Sequence, residues 1–282
     1  MDVDIYLKRI NCTGLKEVSL ENLIILQKNH LKSIPFENLD IHMGKHIDFS
    51  LQKAYDKVIK DSRGGYCLEL NPLFGWLLKS LGYEFYYVPA YVFAVAAGRF
   101  MKFKTHIILI VKLDNKEYYA DVTSPRKEPI ELAIEKPSIQ SFGTYKLKTD
   151  NLDPEFLILE GSSNKNYLSG NPQWSPLIKF KLIAQDLSNF EQANEIAQSK
   201  DYSTLIAKNI CTLHTDNKLL VLVGWKYSEI TYNEDNEERI DEIIKNTEQI
   251  RKILCFKFGI VVDDSLQPKD EPIPQSALKA KS

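Results

Sequence analysis

The chain changes its hydrophobic period near residue 83, and that change limits the folds open to it. Before it, apolar residues recur at helical spacing. Ser19 can cap a segment with Leu20, Leu23, Ile24 and Leu31 on one face. Ser50 precedes Leu51, Ala54, Tyr55, Val58 and Ile59, the i, i+3, i+4, i+7, i+8 stripe of an amphipathic helix. Gly64-Gly65 is expected to end that helix. A third helix is expected over 67–81 with Gly82 as its stop, and Pro72 inside it predicts a late start or a kink. Beyond the change, 83–93 is rich in aromatic and β-branched residues. Segments 105–113 and 116–123 flank an Asp114-Asn115 turn, the pattern of a hairpin. Segments 155–159 and 177–183 read as further strands, with a loop over 161–170. The last third mixes a helix over 189–198, strands over 208–212 and 219–225, and a long charged helix over 236–254. Three prolines and several lysines after Leu266 read as a disordered tail. Helices, then strands, then a mixed module argue an α+β fold rather than a doubly wound sheet. The boundaries fall at 1–82, 83–188, 189–265 and a tail over 266–282.

Charge and cysteine usage exclude several classes of function. The net charge is −2, without the basic excess of a nucleic-acid binder. No stretch approaches the roughly 18 apolar residues that would span a bilayer, and the N-terminal residues lack a signal-peptide pattern, so no membrane partner is expected. The cysteines, at 12, 67, 211 and 255, form no CxxC pair and are too sparse for a disulfide framework, which points to a reducing cytoplasm.

Cys67 differs from the other three. It follows Arg63-Gly64-Gly65-Tyr66 and opens the third expected helix. The glycines permit close backbone approach, and the positive end of the helix dipole favours a thiolate, with Arg63 as a further source of positive charge. Cys12, Cys211 and Cys255 read as small core residues. In a two-residue Asp114-Asn115 turn, Leu113 pairs with Lys116 and Lys112 with Glu117, an opposite-charge pair that supports the register. His106 and Asp121 then share one face as diagonal neighbours, roughly 7–8 Å apart at Cα. A carboxylate there can fix the histidine tautomer and support its charge, while the other ring nitrogen takes a thiol proton. A three-residue loop would put the two on opposite faces. His30, His42, His46 and His214 have no comparable partner, and Gly44 argues against a helical metal pair, so no metal site is predicted.

These residues resemble those of the arylamine N-acetyltransferases. The stretch Arg63-Gly64-Gly65-Tyr66-Cys67-Leu68-Glu69-Leu70-Asn71 is similar to that family's nucleophile signature, and Ile34-Pro35-Phe36-Glu37-Asn38-Leu39-Asp40 to a second one. Thr105-His106 and Asp121-Val122 sit where the family places its histidine and aspartate. The likeness extends to Tyr6-Leu7-Lys8-Arg9-Ile10, Trp174-Ser175-Pro176, Phe190-Glu191-Gln192-Ala193-Asn194 and Phe258-Gly259-Ile260. It implies a helical bundle, a β-barrel and an α/β lid around a cysteine-proteinase-like Cys–His–Asp core. It also implies a ping-pong reaction in which acetyl-CoA, a substrate rather than a resident cofactor, acylates the cysteine, and an arylamine or arylhydrazine then takes the acetyl group. Carried over, Cys67 is the nucleophile, His106 the general base and acid, and Asp121 the group that orients the imidazole. Phe36 lines the acceptor pocket or is a plain core aromatic.

One segment departs from the family pattern. After the aspartate the family reads Val-Gly-Phe-Gly-Gly; here the run is Val122-Thr123-Ser124-Pro125-Arg126. Glycine loops bring backbone donors close to phosphate, which Thr123 and its neighbours restrict. Arg126 is then a phosphate-binding candidate or a solvated surface residue, and Ser124 offers an aryl acceptor no ring to stack on. The competing readings are an acyltransferase with another donor, a cysteine hydrolase or transglutaminase-like enzyme, and a non-catalytic relative.

Overall fold

The computed structural model describes residues 1–124, 126–163, 170–200, 203–233 and 237–280. Helices α1 (Val3–Arg9) and α2 (Leu20–Ser33) are followed by the short β1 (Phe36–Glu37), α3 (Leu39–His42) and α4 (Leu51–Tyr55). Asp2, Ser19 and Ser50 cap α1, α2 and α4 with their side-chain oxygens, which satisfy free amides of the first turn. A π turn over Asp56–Lys60 ends the second expected helix, ahead of the two glycines. Helix α5 (Cys67–Ser80) begins at the cysteine and runs through Pro72, with no late start. Every residue from Cys67 to Gly75 is buried, and this packing sustains the helix across the missing proline donor. At Gly75 the Tyr87 hydroxyl lies 2.3 Å from where a Cβ would stand, so only glycine lets the helix approach the sheet there.

Strands β2 (Glu84–Ala94), β3 (Arg99–Phe100), β4 (His106–Leu113), β5 (Lys116–Ala120), β6 (Ile130–Glu131), β7 (Ser138–Gln140), β8 (Gly143–Thr149), β9 (Leu157–Ser162) and β10 (Ser175–Phe180) form an antiparallel sheet in the order β6-β5-β4-β2-β10-β9-β8-β7, with β3 beside β2. Ile134, just after β6, bridges to Leu147 of β8 and nearly closes the sheet into a barrel. Asp114 and Asn115 both take positive φ, +49° and +59°, the two-residue turn whose twist matches a hairpin. Leu113 pairs with Lys116 and Lys112 with Glu117, as the even loop predicts. β4 is therefore two-faced. Ile108 and Ile110 join Val88, Tyr119, Leu147 and Phe180 inside the barrel, while Leu109 and Val111 pack with Leu70, Phe74 and Leu77 of α5.

The remaining chain forms α6 (Glu191–Ala197), α7 (Thr204–Ala207), β11 (Ile210–His214), β12 (Lys218–Val223), β13 (Lys226–Tyr232), β14 (Glu237–Ile243) and α8 (Thr247–Phe258). Its sheet runs β1-β11-β12-β13-β14, so β1 from the helical segment is an edge strand of the last module. Asn38 fastens the same junction: its side chain accepts from Ile210 N at 2.7 Å and donates to Leu205 O and Lys208 O at 2.7 and 2.8 Å.

Two expectations are corrected. The long charged helix is a strand and a shorter helix. β14 pairs with β13 from Lys226↔Ile243 to Tyr232↔Glu237, and Asn246 starts α8 anew by accepting from Gln249 N. A charged edge strand resists pairing with other chains, and its charge mimics an exposed helix. The tail beyond Leu266, read as disordered, lies on the fold through Ala280. Met101 bridges to Leu278, Lys102 N donates to Ala277 O, and Ala277 and Leu278 are buried. Backbone pairing supplies the order that the composition does not advertise. Within the loop expected over 161–170, Gly161 and Ser162 belong to β9, and residues 164–169 lie outside the described residues.

Candidate active site

Cys67 owes its position to a close approach that only glycine permits. A Cβ on Gly64 would stand 2.1 Å from Pro35 O. Without it, Gly65 bridges to Phe36, with Glu37 N donating to Gly65 O at 2.9 Å and Gly65 N to Pro35 O at 3.3 Å. The two segments that looked distinctive in the sequence are thus pressed together. Glu69 accepts from Tyr66 N at 3.1 Å, which fixes the entry to α5. The Tyr66 hydroxyl donates to Asn194 Oδ1, and Asn194 Nδ2 donates to Ile47 O at 2.8 Å.

At the start of α5 the Cys67 side chain is 8% exposed, with its Sγ 3.5 Å from Thr105 O. The His106 Nε2 lies 2.9 Å from Asp121 Oδ2. The Cys67 side chain also acts on the imidazole, by hydrogen bonding and by charge. Burial alone pushes the imidazolium down, but the charge and hydrogen bond of Asp121, then those of Cys67, raise His106 to about 10. Asp121 is fully buried. Burial pushes its carboxyl up, yet His106 and Arg126 hold it well below the usual range. Sulfur, imidazole and carboxylate are therefore in consecutive reach.

The cavity above them has a volume of about 380 Å³. Cys67, His106 and Asp121 meet apolar walls that include Phe36, Val92, Phe93 and Leu177. A neighbouring cavity of about 280 Å³ shares Phe36, Thr123, Ser124 and Ile210 with it, so Phe36, Thr123 and Ser124 border both spaces.

The segment after Asp121 holds the chief surprises. Thr123 donates to Asp121 Oδ1 twice, from its amide at 2.9 Å and its hydroxyl at 2.7 Å. Ser124 Oγ has no partner among the described residues. Pro125 lies outside the described residues. Arg126, a candidate for phosphate or open surface, is 3% exposed, and its Nη2 reaches the Tyr119 hydroxyl at 2.9 Å and Asp121 Oδ2 at 3.3 Å. A guanidinium committed to a buried carboxylate is not offered to a phosphate. Arg63 is likewise committed elsewhere: it pairs with Glu37 and Asp40 rather than with the sulfur.

Sequence reasoning missed three contributors. Asn71 donates to Asp121 Oδ1 at 2.9 Å and to Ile107 O at 2.6 Å, and accepts from Val122 N at 2.9 Å. Its signal was available, since it lies one helical turn after Cys67. Tyr119, two residues before Asp121 and so on the same strand face, donates to Oδ2 at 2.7 Å. Gln27 of α2 accepts from Asp121 N and donates to Arg126 O, and nothing local marks it. Among the described residues no cluster of three or more His, Cys, Asp or Glu could hold a metal ion, and no helix is long and apolar enough to cross a membrane.

Comparison with known proteins extends this picture. Residues 19–267 match the family model described as N-acetyltransferase. An arylamine N-acetyltransferase of Gallus gallus, the pineal gland isozyme NAT-3, is 32% identical over 95% of this chain and 97% of its own. The solved arylamine N-acetyltransferase from Mycobacterium abscessus superposes with a TM-score of 0.82 at 26% identity, covering 94% of this chain and 91% of that one. The Mycobacterium marinum arylamine N-acetyltransferase in complex with CoA has the same fold, with a TM-score of 0.80 at 24% identity over 92% of this chain and 93% of that one.

Proposed function

Because the chain belongs to the arylamine N-acetyltransferase family, we propose that it carries an acetyl group from acetyl-CoA to an arylamine or arylhydrazine nitrogen through a thioester on Cys67. The observation that carries this reading is the imidazole of His106 set between the Cys67 side chain and Asp121 in the wall of an apolar cavity. His106 takes the proton of the Cys67 thiol, so that imidazolium and thiolate form the reactive pair. The thiolate attacks the acetyl carbonyl carbon of acetyl-CoA. Collapse of the tetrahedral intermediate breaks the carbon–sulfur bond to CoA, whose sulfur takes the proton from His106. The amine nitrogen then attacks the Cys67 thioester. Neutral His106 takes the amine proton, and the Cys67 thiolate leaves. Asp121 holds one tautomer throughout and steadies each imidazolium. Phe36 and the apolar wall accommodate the aryl ring, while Thr123 and Ser124 border its path.

The chemistry needs no resident cofactor; acetyl-CoA enters as a substrate, and the Mycobacterium marinum arylamine N-acetyltransferase is solved in complex with CoA. All four cysteines are free, which suits a reducing cytoplasm.

The test is to incubate the protein with acetyl-CoA and weigh it intact. An acetyl adduct mapped to Cys67, discharged by an arylamine with formation of the N-acetyl product, is the expected result. An adduct lost to water as fast without amine would make the protein a hydrolase. No adduct would mean another acyl donor. Either outcome overturns the reading.

A further inference from the structure

Three donors fall on each oxygen of Asp121. Oδ1 receives Asn71 Nδ2, the Thr123 amide and the Thr123 hydroxyl. Oδ2 receives His106 Nε2, the Tyr119 hydroxyl and Arg126 Nη2. A carboxylate offers about four lone-pair sites, so these donors compete for its charge. Arg126 is the unusual one. It is permanently charged, and its guanidinium lies between the rings of Tyr119 and Tyr145, 5.3 and 5.9 Å from their centroids. Gln27 pins both ends of the segment that presents it, at Asp121 N and Arg126 O. Nothing in the thioester scheme requires a second cation here.

Charge balance suggests what it does. Before acetylation Asp121 is negative and Arg126 positive, while Cys67 and His106 share one proton between them, so the cluster is neutral. Acetylation turns the Cys67 sulfur into a thioester, which no longer shares a proton with His106. From then on His106 must be uncharged if it is to take the amine proton. A fully buried carboxylate with no other cation would hold a proton on His106 and stall that step. The groups acting directly on His106 are Cys67 from α5 and Asp121; Tyr119 from β5 and Arg126 from the following segment reach it through Asp121 Oδ2, and Tyr145 of β8 lies over the guanidinium. Of these, only Arg126 offsets Asp121 once the sulfur is acylated.

We propose that Arg126 is a positioning residue that holds the Asp121 carboxylate toward His106 and shares its charge, so that the imidazole of the acetylated enzyme stays neutral. The proposal rests on the thioester reading above, and its test separates the two. In protein carrying ¹⁵N-labelled histidine, the His106 titration is followed by NMR in wild type, Arg126→Gln and Arg126→Lys. Loss of an opposing charge at this range should raise the His106 pKa by about one unit in Arg126→Gln, while Arg126→Lys should stay near wild type. With acetyl-CoA present, Arg126→Gln should load Cys67 at a near-normal rate but discharge it to an arylamine about tenfold more slowly near pH 7, and recover as the pH rises. A merely structural role would slow both half-reactions at every pH. An unchanged or lowered His106 pKa in Arg126→Gln, or an equal shift in Arg126→Lys, overturns the proposal. Should Arg126→Gln fail to fold, the acetylated wild type decides: a protonated His106 at pH 7 in that state also overturns it. A wild type that never forms the adduct sinks the thioester reading instead, and the titration of free protein still judges Arg126.

Discussion

Two buried ionic clusters flank the Gly64-Gly65 turn, and they differ in one respect. The first joins Glu37, Asp40, Lys57, Arg63 and Glu69. Arg63 Nη2 meets Glu37 at 2.8 Å and Asp40 at 3.2 Å, and Lys57 meets Asp40 at 2.8 Å and Glu69 at 3.0 Å. Burial pushes Glu69 up even beside Lys57, while Asp40 ends below its usual range because Lys57 and Arg63 outweigh its burial. None of the five lines the cavity. The second joins Cys67, His106, Asp121 and Arg126, and all four line it. The first cluster is closed, each charge answered by another across β1, α3 and α5. The second leaves sulfur and imidazole open on one side. Burying and pairing charge can therefore serve stability or chemistry, and what decides is whether one member faces a space that a substrate can enter.

The largest expected effects fall on the open cluster. Cys67→Ala should reduce transfer by at least about 10⁴-fold, because no other group can carry the acyl chain. Stability should change by about 1 kcal/mol or less, since one small side chain is removed. Transfer assays alongside thermal unfolding would check both; residual activity near wild type would dissolve the contrast.

Asp121→Asn should cost about 10³–10⁴-fold in kcat/KM, because the amide presents a donor where Nε2–H needs an acceptor. It should also alter the response to pH. A pKa raised from 6.5 to about 10 means that the charged imidazole's contribution to stability is complete below about 6.5 and lost as the pH climbs through about 10. Melting temperatures between pH 6 and 10 should fall in wild type and stay flatter in Asp121→Asn. Parallel curves would show that the pair does not couple to folding.

Next in size is a blow to the closed cluster. Arg63→Met removes the main partner of a fully buried Glu37 and should destabilise the fold by about 3–5 kcal/mol. Denaturant melts measure this, and acetyl transfer per folded molecule should change far less than in Asp121→Asn. The reverse ranking, a normal melt with a large catalytic loss, would mean that the two clusters are one machine.

The contrast also explains what the sequence could disclose. The hairpin bearing His106 and Asp121 was readable because its register depends on two turn residues and one cross-strand pair, all within about a dozen positions. The need for glycine before Cys67 was readable as a need for close approach. Its partner, Pro35, was not, because contact between separate segments leaves no local period. Arg126 resisted for the same reason: its surroundings are Tyr119 on β5, Tyr145 on β8 and Gln27 on α2, three elements that only the closed barrel brings together. The stretch over 236–254 reads as one helix because charge on an exposed edge strand has no face to betray it, and the single cue, Asn246 as a cap, sits inside an otherwise helix-forming run.

The finest test compares two adjacent hydroxyls within the open cluster. Thr123 Oγ1 donates to Asp121 at 2.7 Å, whereas Ser124 Oγ is buried without a partner among the described residues. A hydrogen bond to a charged acceptor contributes about 1.5–3 kcal/mol, so Thr123→Val should lower kcat/KM by roughly tenfold or more as Asp121 loses a restraint. An unpaired buried hydroxyl is a cost rather than a support, so Ser124→Ala should leave stability unchanged or raise it by up to about 1 kcal/mol. With an unsubstituted aniline as acceptor, its kcat/KM should stay within about twofold of wild type. Thermal melts and steady-state kinetics on the two variants separate the cases. Equal losses in both would show that Ser124 Oγ finds a partner during turnover, and that the open cluster extends one residue further along the segment than its resting hydrogen bonds reveal.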